Sequence, residues 1–245
     1  MKLCGTLVPT ADLTPATRHA MLSLMHRTYE GVSEAQFRVD LSEKHWAILL
    51  THPATGDLCG FSTQMLLPLR VANRDLTVLF SGDTVVAREH WGDAALAHVW
   101  GNLVLSLADR HAPDTLFWSL ISKGYRTYRF LPVFFHEFYP RHDAATPPWA
   151  RAIIDAFGQA KFPHTFDAAH GLIRAHAGKD RLRAGIGDVT PERLHDPHVA
   201  FFARSNPHSA AGDELCCVAP LSRENFTPAA YRVIHAKPAA AKVPA

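Results

Sequence analysis

One continuous stretch, residues 76–139, constrains the fold more than any other part of the chain. It opens with an apolar run over 76–86, and a polar bend and a long stretch of helical periodicity over 94–111 follow. A second apolar run over 116–121 leads into another helical stretch that begins near Lys123. The pattern predicts a strand, a bend, a long helix, a second strand and a second helix.

The first of these strands has an unusual interior, because it contains Gly82 and Asp83. A glycine inside a strand indicates a bulge or a close approach of the backbone to another group. A carboxylate in the middle of a strand is either a paired structural group or part of a functional site. The sequence leaves both interpretations of Asp83 open.

The residues before position 76 predict five elements that precede the central unit. These are a strand over 2–8, a helix capped by Thr14 with Pro15 in its first turn, a short helix after Ser33, and strands over 46–51 and 58–67. Turn-forming residues separate the later strands, with a reversal over 71–75. Three consecutive antiparallel strands are therefore expected.

After Pro140 the composition changes, and the predicted elements become sparser. They are a helix over 149–157, a strand over 171–175, a loop over 178–187, a helix from Thr190 to Arg204, and a last strand over 214–219. A sheet without those strands would have an open edge, so residues 142–235 are expected to complete the same sheet. Residues 236–245 are predicted to be a disordered tail.

Composition excludes several classes of function. The chain has 245 residues and a formal charge of +2, which is too small to indicate a nucleic-acid partner. Its longest apolar runs are well short of the roughly 20 residues that span a bilayer, which argues against a membrane span. Its four cysteines include no CxxC pair, and Pro140 stands where a helical HExxH beginning at His136 requires histidine. We expect no metal, and a cytoplasmic protein.

The order of elements over residues 2–139 resembles that of the GCN5-related N-acetyltransferase (GNAT) superfamily, of which the chain would be a divergent member. The resemblance implies an α/β (mixed α+β) fold, in which a central, mostly antiparallel twisted sheet is flanked by helices and carries a C-terminal insertion. It implies an acyltransferase core over 1–141, followed by an extension over 142–235.

In that superfamily the fourth strand leads into a Gln/Arg-x-x-Gly-x-Gly/Ala loop that binds the pyrophosphate of coenzyme A. The matching run is Glu89-His90-Trp91-Gly92-Asp93-Ala94, in which Gly92 and Ala94 fit, Glu89 departs and Arg88 lies one position earlier. The resemblance implies cofactor contacts from a larger set: Val85, Val86, Arg88, Trp91, Gly92, Asp93, Ala94 and Ser122. The alternative interpretation is that Asp93 simply caps the long helix. Because Glu89 and Asp93 add negative charge, an acyl carrier protein donor or a lost cofactor site are alternatives to acyl-CoA.

The resemblance also implies an N-acyltransferase that moves an acyl group from a thioester to a small-molecule amine. Asp83 or Glu89 would be the base, and Tyr128, with Tyr125 as an alternative, would protonate the departing thiolate. Two other functions remain open: a catalytically inactive binding or regulatory protein, and a long-chain acyl transferase or binder favoured by the aromatic residues over 130–138. An acyl carrier protein and a second copy of the chain are further candidate partners.

Overall fold

A computed structural model describes residues 2–235 of the chain. The predicted disordered tail, 236–245, lies outside the described residues. The helices and strands are numbered below in chain order.

A single eight-stranded sheet forms the centre of the fold, and a separate two-stranded pair lies outside it. The strands are β1 (Cys4–Pro9), β2 (Tyr29–Glu30), β3 (Trp46–Thr51), β4 (Leu58–Val71), β5 (Arg74–Val86), β6 (Leu116–Ser122), β7 (Phe166–Asp167), β8 (Leu172–Ile173), β9 (Arg181–Leu182) and β10 (Glu214–Pro220). The order in the large sheet is β1-β3-β4-β5-β6-β10-β8-β7, and β2 pairs with β9. Every pair in the large sheet is antiparallel except β5 and β6, which run parallel. The predicted fold class is confirmed.

Helices cover both faces of the sheet. They are α1 (Pro15–Thr28), α2 (Glu34–Ser42), α3 (Ala95–Ala108), α4 (Tyr125–Tyr128), α5 (Phe130–Phe134), α6 (Pro148–Lys161), α7 (Pro197–Ser205) and α8 (Pro228–Ile234). Alternate strand residues enter different cores: Leu79 and Trp118 pack with α3 and α5, whereas Phe80 and Phe117 pack with α6. This two-residue alternation is what a pleated sheet buried on both faces requires.

A β-bulge interrupts β5 at Gly82 and Asp83. Opposite it on β4, Ser62 pairs with Thr84 and Gln64 pairs with Ser81, so two residues of β5 stand against one of β4. A Cβ on Gly82 would lie 2.7 Å from the Thr63 hydroxyl, so the backbone approach is also close. Both features predicted from a glycine in this strand are present.

Strands β5 and β6 separate where the bulge begins. Their parallel pairing runs from Thr77 opposite Leu116 to Ser81 opposite Leu120. Beyond that point β5 continues along β4 to Val86, while β6 continues to Ser122 against β10. The central sheet therefore opens between its two parallel strands.

The helix starts predicted from local signals are confirmed at α1 and α2. The Thr14 hydroxyl accepts a hydrogen bond from the Thr17 amide at 3.1 Å, and Pro15 occupies the first turn. The Ser33 hydroxyl accepts from the Gln36 amide at 3.2 Å. Each cap satisfies an amide that has no partner within its own helix.

Two helices differ from the prediction. The helix expected from Thr190 to Arg204 is wrong: Pro191–His195 forms a 3-10 turn, and α7 begins only at Pro197, capped by the Asp196 carboxylate, which accepts from the His198 amide at 2.9 Å. The stretch after Lys123 forms two short helices, α4 and α5, rather than one. Two prolines at possible helix starts made the first boundary ambiguous in the sequence.

The extension contributes strands to the same sheet. Strand β10 pairs with β6 from Leu215 opposite Ser122 to Pro220 opposite Phe117, and β8 and β7 follow on its other side. The boundary near residue 141 remains a prediction. Among residues 2–235, no helix has the length and apolar character needed to cross a bilayer.

Candidate active site

The gap between β5 and β6 opens into a groove of about 570 Å³. Its walls come from the end of β5, the bend over 87–93, the first turns of α3, α4 with Phe130, and the loop over 182–187. Apolar side chains supply part of the lining: Leu24, Leu96, Phe130, Leu182 and Ile186. We call this cavity the groove.

The bend at the groove is held by side-chain to backbone hydrogen bonds. The Trp91 indole donates to the Val86 carbonyl at 2.9 Å. The Asp93 carboxylate accepts from the Ala95 amide at 2.8 Å and from the Leu3 amide at 2.9 Å. Gly92 has φ +92°, a conformation that favours glycine, and a Cβ there would meet nothing within 4 Å. Ala94, and not Asp93, is the N-cap residue of α3, so the alternative interpretation of Asp93 as the cap is wrong by one position. From that position Asp93 holds the first amide of α3 and ties the helix to the residues before β1.

A second, smaller cavity adjoins the inner end of the groove. It has a volume of about 110 Å³, and Tyr29, Thr84 and Thr127 line both it and the groove. A third cavity, of about 500 Å³ beside α2, shares Asp40, Asp83 and four other residues with the second. We call the second and third together the charged cavity, because their shared lining includes Lys161, Lys179 and Asp180.

Asp83 lies in the charged cavity, where the bulge places it. Burial raises the pKa of its carboxyl from 3.8 to about 6, and the neighbouring Asp40 adds to the increase, while Lys44 and Lys123 oppose it. A carboxyl with this pKa is mostly ionised at neutral pH and can take up a proton near neutrality. That is the property required of a general base.

The lysines of the charged cavity are engaged by other groups. Lys123 lies 2.7 Å from the Asp180 carboxylate and 3.5 Å from that of Glu214, and Lys179 lies 3.2 Å from Glu214. Burial disfavours the Lys123 ammonium, but Glu214, Tyr29 and Asp180 outweigh it and raise its pKa. Lys123 is therefore a fixed positive charge rather than a proton acceptor.

Lys44 is the other buried lysine of the charged cavity, and it is 6 % exposed. Its ammonium donates to the Asp40 carbonyl at 2.9 Å. Burial lowers the pKa of Lys44, and Lys161 lowers it further. The pKa of Asp83 is raised and the pKa of Lys44 is lowered, so the two pKa values lie closer together than those of the free side chains. This corner of the charged cavity is therefore sensitive to protonation.

Two phenols differ in their position relative to the cavities, because Tyr29 lines both and Tyr128 lines neither. The Tyr128 hydroxyl is buried and donates to the Pro140 carbonyl at 2.9 Å. Tyr29 lines both the groove and the charged cavity, and its ring faces the Lys123 ammonium at 5.0 Å. Burial raises the pKa of both phenols, so both carry their protons at neutral pH.

The structure brings most of the predicted site residues together. Those that line the groove are Val85, Val86, Arg88, Glu89, Trp91, Gly92 and Asp93. Four lie outside that lining. Asp83 lines the charged cavity, Ala94 is exposed at the start of α3, Ser122 is buried opposite Leu215, and Tyr128 is buried with its hydroxyl on the Pro140 carbonyl. Their roles remain predictions.

Sequence reasoning missed several lining residues, above all Arg27, Tyr29, Arg126 and Asp180. Arg27 and Tyr29 lie at the end of α1, which the sequence identified only as a packed helix. No signal in the sequence predicts that this helix end contacts the loop that contains Leu182, about 150 residues further along the chain. Among residues 2–235, no group of three or more His, Cys, Asp or Glu side chains is placed to hold a metal ion.

Comparisons with known proteins give structural neighbours only. No family model matches the chain, and no curated protein matches it. A GNAT-family N-acetyltransferase (YhbS) from Escherichia coli in complex with CoA is 17 % identical, with a TM-score of 0.38, and the match covers 53 % of this chain and 69 % of that one.

Two further neighbours carry similar descriptions. A probable N-acyltransferase from Enterococcus faecalis V583 is 12 % identical (TM-score 0.42), and the match covers 87 % of this chain but only 64 % of that one. The ribosomal-protein-S18-alanine N-acetyltransferase from Escherichia coli is 15 % identical (TM-score 0.38), with 58 % and 84 % covered. The chain is similar to each of these three structures at a TM-score below 0.5. Its own mostly antiparallel sheet, which opens between two parallel strands, agrees with the fold class predicted from the sequence.

Proposed function

We propose that the chain is a divergent GNAT-type N-acyltransferase that moves an acyl group from acyl-CoA to a small-molecule amine. The observation that carries the proposal is the separation of β5 and β6, which opens the groove beside the bulge that holds Asp83. A thioester arm in the groove would end near the residues shared with the charged cavity. The acceptor amine would reach the same point from the charged cavity.

The residues of this junction suit acyl transfer. Asp83 would take the proton from the ammonium of the acceptor, directly or through water, so that the free amine attacks the thioester carbonyl carbon. The carbon–nitrogen bond forms, the carbon–sulfur bond breaks, and the departing thiolate takes a proton from a phenol. Positioning of the two substrates would supply much of the acceleration, and the acid and base would each contribute about 10²–10⁴-fold.

Glu89 is the other predicted base, and its place differs from that of Asp83. It is exposed on the groove side of the bend, and it does not line the charged cavity. Asp83 is therefore the better candidate for deprotonating an acceptor that enters from the charged cavity.

The first experiment measures donor binding and turnover separately. Purified protein is melted with coenzyme A, acetyl-CoA and a long-chain acyl-CoA, and thiol release is followed with a panel of amines. A ligand at about 100 times its dissociation constant adds roughly 2.7 kcal/mol of stability, which raises the melting temperature. No shift with any donor and no thiol release would contradict the proposal.

The same experiment tests the other two hypotheses. A donor-dependent shift without thiol release for any amine would favour the inactive binding protein. A preference for the long-chain donor would favour the long-chain enzyme or binder, for which the apolar groove lining, including Phe130 at 37 % exposure, is the specific support.

Tyr29→Phe and Tyr128→Phe test which phenol protonates the thiolate. Tyr29 lines the groove directly, whereas the Tyr128 hydroxyl must leave the Pro140 carbonyl in order to act. We expect Tyr29→Phe to lower kcat about 10²-fold or more, and Tyr128→Phe to lower stability by about 1 kcal/mol through its lost hydrogen bond. A large loss of kcat in a well-folded Tyr128→Phe protein would instead support the role predicted from the sequence.

A further inference from the structure

The first turn of α3 is already occupied by a carboxylate of the chain itself. Asp93 accepts the Ala95 amide at 2.8 Å, and its other oxygen accepts the Leu3 amide. A helix N-terminus carries about +0.5 elementary charge, so a full negative charge at that position reverses the local sign. The amides that would attract a phosphate therefore present a net negative charge to the groove.

Three arginines from separate elements lie around the same groove: Arg27 from α1, Arg88 from the bend and Arg126 from α4. Within residues 2–235, none of the three forms an ion pair with a carboxylate. A fourth, Arg183, differs because its guanidinium lies 3.9 Å from the Glu30 carboxylate. Arg126 and Arg183 each donate from Nε to a backbone carbonyl, that of Ile186 at 3.2 Å and that of His26 at 3.1 Å. The three unpaired guanidiniums outnumber the carboxylates of Glu89 and Asp93 in the lining.

Two of these arginines are held against Trp91. The Arg126 guanidinium lies 4.5 Å from the centre of the indole ring and that of Arg88 lies 5.6 Å from it. The indole itself is anchored through its bond to the Val86 carbonyl, and the ring remains 36 % exposed. The contact with the indole keeps both guanidiniums beside the groove, and Arg126 is also held by the bond from its Nε to the Ile186 carbonyl. The terminal N–H groups of a planar guanidinium are well suited to bind phosphate.

We infer that the phosphate groups of the donor bind to Arg27, Arg88 and Arg126, and not to the amides at the start of α3. The inference rests on the proposed function and adds to it that side chains, rather than backbone amides, form the anion site. Gly92 then serves the left-handed turn of the bend rather than an approach of phosphate to the backbone, because a Cβ there would meet nothing.

A site built from side-chain charges responds to the charge of its ligand. Coenzyme A is therefore expected to bind more tightly than 3′-dephospho-coenzyme A, and acetylpantetheine is expected to bind most weakly. The affinity for coenzyme A should fall steeply as salt increases, because the arginines are exposed and their attraction is screened.

The test is equilibrium binding of coenzyme A and of 3′,5′-ADP, measured by calorimetry at low salt. We expect Arg88→Gln and Arg126→Gln each to weaken binding about tenfold, the cost of one charge-assisted hydrogen bond. Arg70→Gln is the matched control, because Arg70 pairs with Asp75 outside the groove lining and its loss should leave binding unchanged. Asp93→Asn, which keeps an oxygen to accept the Ala95 amide, should bind the same or tighter.

The opposite pattern would overturn the inference. Unchanged binding in the Arg88→Gln/Arg126→Gln double variant, or a large loss of binding in a folded Asp93→Asn variant, would place the phosphates at the helix amides. Failure of wild-type protein to bind either nucleotide would also overturn it. Thiol release with an amine reports on the proposed function independently, since acylpantetheine turnover can persist when nucleotide binding is lost.

Discussion

Asp83 is costly to keep ionised where the fold places it. Its folded-state pKa, about 6, lies above the ordinary value of 3.8, so the folded protein holds this proton more tightly than the unfolded chain does. The group therefore favours folding most below pH 3.8, and that contribution is lost as the pH rises through about 6. A difference of about two pKa units corresponds to about 3 kcal/mol.

Asp83→Asn is expected to separate stability from activity. At pH 7.5 the variant should unfold at higher temperature than wild type by an amount that corresponds to about 1–3 kcal/mol, because no buried charge has to form. Its kcat/KM for amine acylation should fall about 10²–10⁴-fold. Below pH 4 the difference in stability should disappear, and melting curves at both pH values measure it.

A wild-type rate that rises with pH through about 6, and an Asp83→Asn rate that does not, would agree with the role as base. Equal activity of wild type and variant at pH 7.5 would contradict it. Asp40→Asn is a useful companion, since removing that neighbouring charge should lower the pKa of Asp83 and move the profile to lower pH.

Asp83 was visible in the sequence because a glycine and a carboxylate are unusual inside an otherwise apolar strand. The bend residues were identified differently, from the match of residues 89–94 to the loop of the GNAT superfamily. Arg27, Tyr29 and Arg126 could not be assigned in this way, because their function depends on contacts among α1, α4 and the loop over 182–187. Local sequence patterns report on residues that are close in the chain, and they do not predict contacts between distant segments.

The bulge in β5 changes which side chains face each layer of helices. Phe80 packs with α6 and Val85 packs with α1 and α2 on the same face, although five positions separate them. Strict alternation would place residues an odd number apart on opposite faces, so the extra residue at the bulge restores Val85 to this face. The extra residue thus lets side chains on one face of β5 pack in two hydrophobic cores. It also places the Asp83 side chain in the lining of the charged cavity.

Close packing of α3 against α8 provides a test of the helix layer. A Cβ on Gly101 would lie 2.3 Å from a side-chain carbon of Ile234, so Gly101→Ala should cost about 1–3 kcal/mol through overpacking. This outweighs the gain of about 1 kcal/mol from the better helix propensity of alanine. Denaturant unfolding measures the change.

The matched double variant Gly101→Ala/Ile234→Ala distinguishes a clash from any other effect. Removing the Ile234 side chain makes room for the new methyl group, so the penalty of Gly101→Ala should be much smaller in that background than in wild type. An equal penalty in both backgrounds would show that the two helices do not meet as described.

Local signals predicted helix starts well and helix extents less well. Thr14 and Ser33 cap their helices through contacts with residues three positions away, which a sequence displays directly. The region over 190–205 offers two capping residues, each followed by a proline, and only packing of Val199 and Phe202 in the core selects the second start.

Strand β10 joins the two halves of the sheet. It lies between β6 and β8, and Leu215, Cys217 and Ala219 enter the same hydrophobic core as Trp118. A fragment of residues 1–141 would lose this pairing and expose the edge of β6.

We therefore expect the 1–141 fragment to lack a cooperative thermal transition and to aggregate. Circular dichroism melting and gel filtration would measure this, with the described span 2–235 as the control. A cooperative melt of the fragment would contradict the expectation and would support an independent core.

The two cavities bear on whether the donor and the acceptor of the proposed reaction can be bound at the same time. Within residues 2–235 the linings of the groove and the charged cavity share Tyr29, Thr84 and Thr127, so a donor in the groove would leave the part of the charged cavity beside α2 uncovered. In the proposed reaction we therefore expect donor and acceptor to be bound at once, with the acyl group passing directly from one to the other. Steady-state kinetics with both substrates varied should give intersecting double-reciprocal lines, the signature of a ternary complex, rather than the parallel lines of a ping-pong scheme.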